Sequence, residues 1–196
     1  MLLKALKCPY CGAPLKSKVK DHMLLCPSCG KISLFSNGNI GPVDFSIIKP
    51  REKKPEETLV YVPFWIVNGT LNVAREKISG GKIRRAIKDE RQMRGTRDFY
   101  VCAADEIPES ESRIWNMDLT LDQPAFETID AFKDGKRLPM SVEKEVAGDN
   151  AEFLFIRYET EIPGTLQELD YTFKVNSTKV LYIPAVKKDT KYTLGV

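Results

Sequence analysis

Cys8-Pro9-Tyr10-Cys11-Gly12 and Cys26-Pro27-Ser28-Cys29-Gly30 are the stretches that decide how the chain begins to fold. Together they read C-x2-C-x14-C-x2-C. Two intervening residues let both thiolates of a pair point at one ion, at about 2.3 Å for zinc. The glycine after each second cysteine can take a positive φ and fold the backbone over the sulfurs. Amides of that turn then donate to the thiolates and offset their charge. Four sulfurs close a tetrahedron, and soft thiolates select zinc or iron. A closed four-ligand shell leaves no position for a substrate, so the predicted metal is structural. A disulfide framework is the competing reading, but it needs an oxidising compartment, and the spacing favours metal.

The two CPxCG knuckles, over about residues 6 to 35, resemble a zinc ribbon. That module occurs in general transcription factors, RNA polymerase subunits and ribosomal proteins. Rubredoxin, an iron protein, uses similar knuckles. The segment between them fits the resemblance: Ala13 to Val19 and His22 to Leu25 form an expected hairpin around Lys20-Asp21, and Lys31 to Phe35 a third strand. Thirty residues bury little core, so metal binding is expected to be folding here. Replacing Cys11 by Ser is expected to melt the ribbon and leave the rest folded.

Working outward, the whole chain has 196 residues, 42% hydrophobic and 29% charged, with net charge +3. That composition is globular. No apolar run is long enough to span a membrane. Met1 to Lys7 is too short for a signal peptide's apolar region, and a cytoplasmic location is expected. The single histidine, His22, excludes HExxH zinc chemistry. It reads as a hairpin residue, because four thiolates already saturate the metal. GxxxxGK[ST], GxGxxG and GxSxG are absent. Cys102, in Phe99-Tyr100-Val101-Cys102-Ala103, reads as a small hydrophobe, not a nucleophile.

Residues 1–36 are assigned to the ribbon, 37–58 to a linker and 59–196 to a β-rich domain. Asn37-Gly38 and Gly41-Pro42 are turn signals, and Val43 to Ile48 suits a short edge strand. Leu59 to Val67 reads as a buried strand. Asn68-Gly69 predicts a type I′ hairpin, and Asp134-Gly135 another. Arg97 to Ala103 is a further strand, and about 109–119 a helix. Leu169, Tyr171, Phe173 and Val175 alternate with polar residues, as in a strand with one buried face. Asn176-Ser177 is expected to turn the chain, and Lys179 to Ile183 to return it. Phe64, Trp65, Phe99, Tyr100, Phe153, Phe155, Tyr171 and Phe173 read as core aromatics in strands.

Tyr61-Val62-Pro63-Phe64-Trp65 is echoed by Tyr182-Ile183-Pro184-Ala185-Val186. Proline cannot donate in a ladder, so both prolines are expected at a bulge or strand edge. These motifs, together with the N-terminal knuckles, are similar to those of bacterial and archaeal zinc-ribbon proteins. The resemblance implies an architecture and carries over no catalytic residue. The fold class is therefore mainly β (α+β): a four-cysteine zinc ribbon, then a barrel- or sandwich-like domain with one short helix.

Charge is segregated. Residues 75–97 hold 9 basic and 3 acidic side chains, net +6, whereas 98–196 hold 11 basic and 19 acidic, net −8. Arginine forks and lysine point charges match phosphates. Lys82, Arg84, Arg85, Lys88, Arg91 and Arg94 are the candidate contacts, joined by Lys16, Lys18, Lys20 and Lys31 of the ribbon. Acidic groups, on the chain's own C-terminal half or on a protein partner, are the other surface that would complement the arm. The acidic run Asp105, Glu106, Glu109, Glu111, Asp118 and Asp122 reads as surface and helix-terminal charge. The metal ligands are Cys8, Cys11, Cys26 and Cys29, the cofactor is zinc, and no small-molecule substrate is identified. The expected function is non-catalytic: an adaptor contacting a nucleic acid or nucleoprotein machine through the ribbon and the basic arm. The alternative is a scaffold subunit that docks a protein through its ribbon.

Overall fold

A computed structural model describes residues 6–15, 20–80, 93–161 and 164–196. The ribbon sheet is antiparallel, in the order β1 (Met23–Leu25), β2 (Ile32–Ser36) and β3 (Asn39–Pro42). Its third strand therefore comes from beyond the knuckles, while part of the expected first strand, residues 16–19, lies outside the described residues. A seven-stranded sheet follows. Its axis is two long strands, β5 (Thr58–Ser79) and β9 (Thr165–Lys188), paired antiparallel along their length. β6 (Gly95–Cys102) flanks β5, and β4 (Phe45–Ile48) flanks β9, with β7 (Thr128–Ile129) outside β4. β8 (Lys136–Arg137) pairs with β5, and β10 (Lys191–Leu194) with β9. The sheet is open, not closed into a barrel. β4 is not an edge strand; it lies between β9 and β7, and Ile47 and Ile48 are each 2% exposed because the two faces of the sheet are both covered.

The echoed motifs are partners. Val62 faces Ile183, Tyr61 faces Pro184 and Pro63 faces Tyr182, so the repeat is a local two-fold about the middle of the ladder. Each proline sits where two short outer strands leave a gap. Pro63 falls between the β8 pairing at Tyr61 and the β6 pairing at Phe64. Pro184 falls between the β4 pairing at Tyr182 and the β10 pairing at Ala185. The missing N–H is harmless there, while each proline carbonyl still accepts: Pro63 from the amide of Ala103 (2.9 Å) and Pro184 from that of Gly195 (2.8 Å).

The same dipeptide has two outcomes. Asn37-Gly38 makes the tight β2–β3 hairpin, with φ of 50° and 74°, both positive as a type I′ turn requires. Asn68-Gly69 does not turn; it runs straight through β5. Its Gly is needed for close approach, since a Cβ on Gly69 would lie 2.6 Å from the Phe173 ring. That ring packs edge-on against Phe99, centroids 5.2 Å apart. Asn176-Ser177 does not turn either. The register skips Asn176 as a bulge, and its side chain donates to Asn68 Oδ1 (3.1 Å) and Thr70 Oγ1 (2.9 Å). Asp134-Gly135 forms no hairpin, because β7 and β8 pair with other strands. Gly135 is instead pressed against Leu59 and Tyr61.

Among the described residues two helices, not one, complete the fold. α1 (Glu109–Asp122) extends the expected helix by a turn. α2 (Lys144–Glu161) holds Phe153 and Phe155, which therefore are not strand residues. Its buried Ala147, Ala151, Leu154, Phe155 and Tyr158 are spaced for one helical face, although Gly148, Asp149 and Asn150 are poor helix formers. Packing against the sheet overrides that propensity. One sheet face buries Tyr61, Trp65, Phe99 and Tyr182 under α2 and the ribbon residues Met23 and Ile32. The other buries Val62, Phe64, Ile66 and Ile183 with Trp115 and Leu119 of α1.

α1 also closes the edge of β6. Outward amides of Asp98, Tyr100 and Cys102 donate to Gln123 Oε1 (3.2 Å), Thr120 Oγ1 (2.9 Å) and Asn116 Oδ1 (2.8 Å). Side chains of a helix thus replace a neighbouring strand and block edge-to-edge pairing. Thr120→Val orphans the buried Tyr100 amide and is expected to cost about 1–3 kcal/mol. Urea unfolding should show a lower midpoint at an unchanged slope, with Thr120→Ser near the parent.

Candidate metal centre

The two knuckles are built alike. In the first, the amide of Gly12 donates to the Cys8 carbonyl (2.9 Å) and that of Cys8 to the Ala13 carbonyl (2.8 Å). In the second, Gly30 donates to Cys26 (2.9 Å) and Cys26 to Lys31 (2.9 Å). Gly12 and Gly30 have φ of 74° and 70°, the positive values expected of them. A bridge between Lys7 and Pro14 closes the first knuckle.

This wrapping gathers the sulfurs. Cys8 Sγ lies 3.7 Å from Cys29 Sγ, and Cys11 Sγ 3.7 Å from Cys26 Sγ, with all four within 4.8 Å of one another. A tetrahedron with zinc–sulfur bonds of about 2.3 Å has edges of about 3.8 Å, so the four positions fit zinc. Electrostatics points the same way. Backbone hydrogen bonding, led by the Cys29 amide with that of Ser28, pulls the Cys26 thiol down to about 6. The Ala13 amide acts likewise on Cys11, but desolvation and the three neighbouring thiols prevail and push it up to about 12. Four thiolates this close need a divalent cation among them. Cys8 and Cys26 are buried, and Cys11 and Cys29 exposed, so the cluster sits at the surface with one side sealed.

These features define a zinc-ribbon protein. A family model described as the NADH pyrophosphatase zinc ribbon domain matches residues 8–33, the ribbon alone. No curated protein and no solved structure is matched.

The ribbon is bolted to the sheet. Asp21, 7% exposed, accepts Arg137 Nη2 at 2.8 Å and the amides of Met23 and Met140, each at 3.1 Å. Arg137 Nη1 in turn donates to the Tyr182 hydroxyl (3.1 Å). The His22 amide donates to the Met140 carbonyl (2.8 Å). No sequence signal marks Asp21 or Arg137; Asp21 looks like a turn residue, and its partner lies more than a hundred positions away.

Other singled-out residues have ordinary roles. His22 donates through Nδ1 to the Phe35 carbonyl (3.0 Å) and stays outside the metal cluster. Burial pushes the Cys102 thiol up to about 12, so it is protonated at neutral pH. The acidic run is dispersed: Asp105 meets Ser141 and Lys20, Glu106 meets Lys136, and Glu109 meets Arg113. Among the described residues, only the four cysteines form a metal-holding group.

Of the basic candidates, Lys82, Arg84, Arg85, Lys88 and Arg91 lie outside the described residues, as do Lys16 and Lys18. Arg94 is described and turned inward, 2.7 Å from Glu76 and 3.5 Å from Glu159. Arg75 meets Glu168 at 2.9 Å, and Arg97 donates to the carbonyls of Thr120 and Leu121. Lys31 lies over the Tyr10 ring, 4.6 Å from its centroid. No described helix is long and apolar enough to cross a membrane.

Proposed function

We propose that this is a non-catalytic adaptor that contacts a nucleic acid or nucleoprotein machine through its ribbon and basic arm. The observation that carries the reading is the run of cations that the sequence places beyond the described part of β5. Arg75, Arg94 and Arg97, at its base, are all engaged by the chain's own acceptors. Lys82, Arg84, Arg85, Lys88 and Arg91 follow Ser79 at the end of the β5–β9 ladder, against only Asp89 and Glu90. Such a concentration of cations suits phosphates, and reduced thiolates suit the cytoplasm. The scaffold reading is favoured by three apolar side chains left exposed on the helices, Ile114, Val146 and Phe153.

Fluorescence anisotropy with mixed-sequence RNA and DNA tests the proposal. The zinc-loaded protein should bind with log K falling linearly in log salt. Reversing Lys82, Arg84, Arg85 and Arg91 to Glu should weaken binding to every sequence and flatten the slope by roughly one for each phosphate no longer neutralised. Absence of binding at low salt would remove this reading in favour of a protein partner.

A further inference from the structure

A cleft of about 440 Å³ separates the ribbon from the large sheet. Its size is that of a small-molecule site. The two knuckles contribute Tyr10 and Lys31, β1 contributes Leu25, β4 contributes Phe45, and the β7–β8 loop contributes Asp130 and Phe132. Phe45 and Phe132 are nearly parallel, 10° between planes. Phe132 is held in place edge-on by Tyr61 and Tyr182, each 5.0 Å away. Phe45 and Phe132 thus give the otherwise largely aliphatic cleft an aromatic patch held in place by packing, which suits a planar ring.

The polar groups narrow the ligand. Arg137 also reaches the cleft, but its charge is met by Asp21. Lys31 and Asp130 are in no ion pair among the described residues, which leaves the cleft one charge of each sign. A purely anionic ligand would meet Asp130, and an aliphatic one would use neither charge. A peptide strand would find the wall closed, because Ile47 pairs with Tyr182 on one side and Ile129 on the other. A nucleobase has apolar faces for the aromatic wall, N–H donors for a carboxylate and a phosphate for an ammonium group.

We propose that the cleft between ribbon and sheet takes one unpaired base of a single-stranded nucleic acid, stacked on Phe45 and Phe132, with its phosphate at Lys31. The assignment rests on the nucleic-acid reading above and adds a site that is separate from the arm. The ribbon then acts as one wall of the site, so the metal holds Tyr10 and Lys31 in place.

Methyl NMR of the zinc-loaded full chain reads the cleft directly. The resonances of Leu25, Ile32 and Ile47 should shift with a short single-stranded oligonucleotide and stay put with a blunt duplex or an abasic strand. Tyr10→Ala and Lys31→Glu should weaken single-strand binding, by roughly 5- to 100-fold where a stack is removed. Duplex binding by Tyr10→Ala should be unchanged. Phe45→Leu, which keeps the core filled, should do the same with an unaltered thermal transition. Single-strand binding with these methyls unmoved, but abolished on arm reversal, overturns the cleft and leaves the arm reading intact. Methyl shifts with a mononucleotide but not with the oligonucleotide overturn the single-strand occupant. No nucleic-acid binding of any kind overturns both.

Discussion

Chelating the metal, or replacing Cys26 by Ser, should unfold the ribbon and lower the stability of the large sheet with it. Structural zinc contributes roughly 10–16 kcal/mol in finger-sized peptides at neutral pH, and the ribbon core is little more than Cys8, Leu15, Leu24 and Cys26. An independent ribbon, as the sequence suggests, would melt alone. The structure argues against that independence. Met23, fully buried, and Ile32 belong to the core shared by Tyr61, Tyr182 and Phe155. Burying a side chain of the size of Met23 is worth about 1.5–3 kcal/mol. Loss of the ribbon also strands Arg137 without Asp21. Thermal unfolding followed by circular dichroism, with and without chelator, is the measurement. The sheet's transition should move down by several degrees at least when metal is removed. A sheet transition that stays in place would show the two parts to be uncoupled. Acid acts in the same direction as chelator, because protons compete with zinc for the thiolates.

Breaking the Asp21–Arg137 pair should have the next largest effect. Asp21→Ala removes the acceptor for one guanidinium and two amides at once. An uncompensated buried charge of this kind costs about 3–5 kcal/mol. Arg137 would keep the Tyr182 hydroxyl, a neutral partner, since burial pushes that phenol up to about 12 despite the cation beside it. The double variant Asp21→Leu/Arg137→Met replaces the ion pair with apolar groups and should recover most of the stability. Chemical denaturation of the parent, Asp21→Leu, Arg137→Met and the double variant closes the cycle. A single Asp21→Ala variant within about 1 kcal/mol of the parent would show that the bolt between ribbon and sheet lies elsewhere.

How much was legible depended on the distance over which each feature is decided. The helix at Glu109 was visible because its signals, Pro108 and the first-turn acids Glu109 and Glu111, are adjacent in sequence. α2 was not, because Gly148 to Asn150 argue against a helix and only the sheet beneath argues for one. The strand alternation from Leu169 to Phe173 was readable, since these half-buried residues pack against the core face. Val175 follows the same period yet is 42% exposed, next to the register break at Asn176. The basic arm was legible as charge, while the inward turn of Arg94 was not, since its partner Glu159 comes from α2.

The metal centre was determined by the sequence by itself. Chelation needs only two pairs of cysteines, three positions apart within each pair, and a glycine that bends the backbone after each, and those conditions hold wherever the segment finds itself. Asn37-Gly38 is of the same kind, a turn closed by its own neighbours. Asn68-Gly69 shows the limit. Its turn propensity is identical, but Phe173 occupies the space above the glycine and Asn176 absorbs the extra residue as a bulge, so two hairpins give way to one long ladder. That choice, the seat of the ribbon on the sheet and the cleft between them were decided only by tertiary structure. Burial of distant apolar surface outweighs a local preference worth about a kilocalorie.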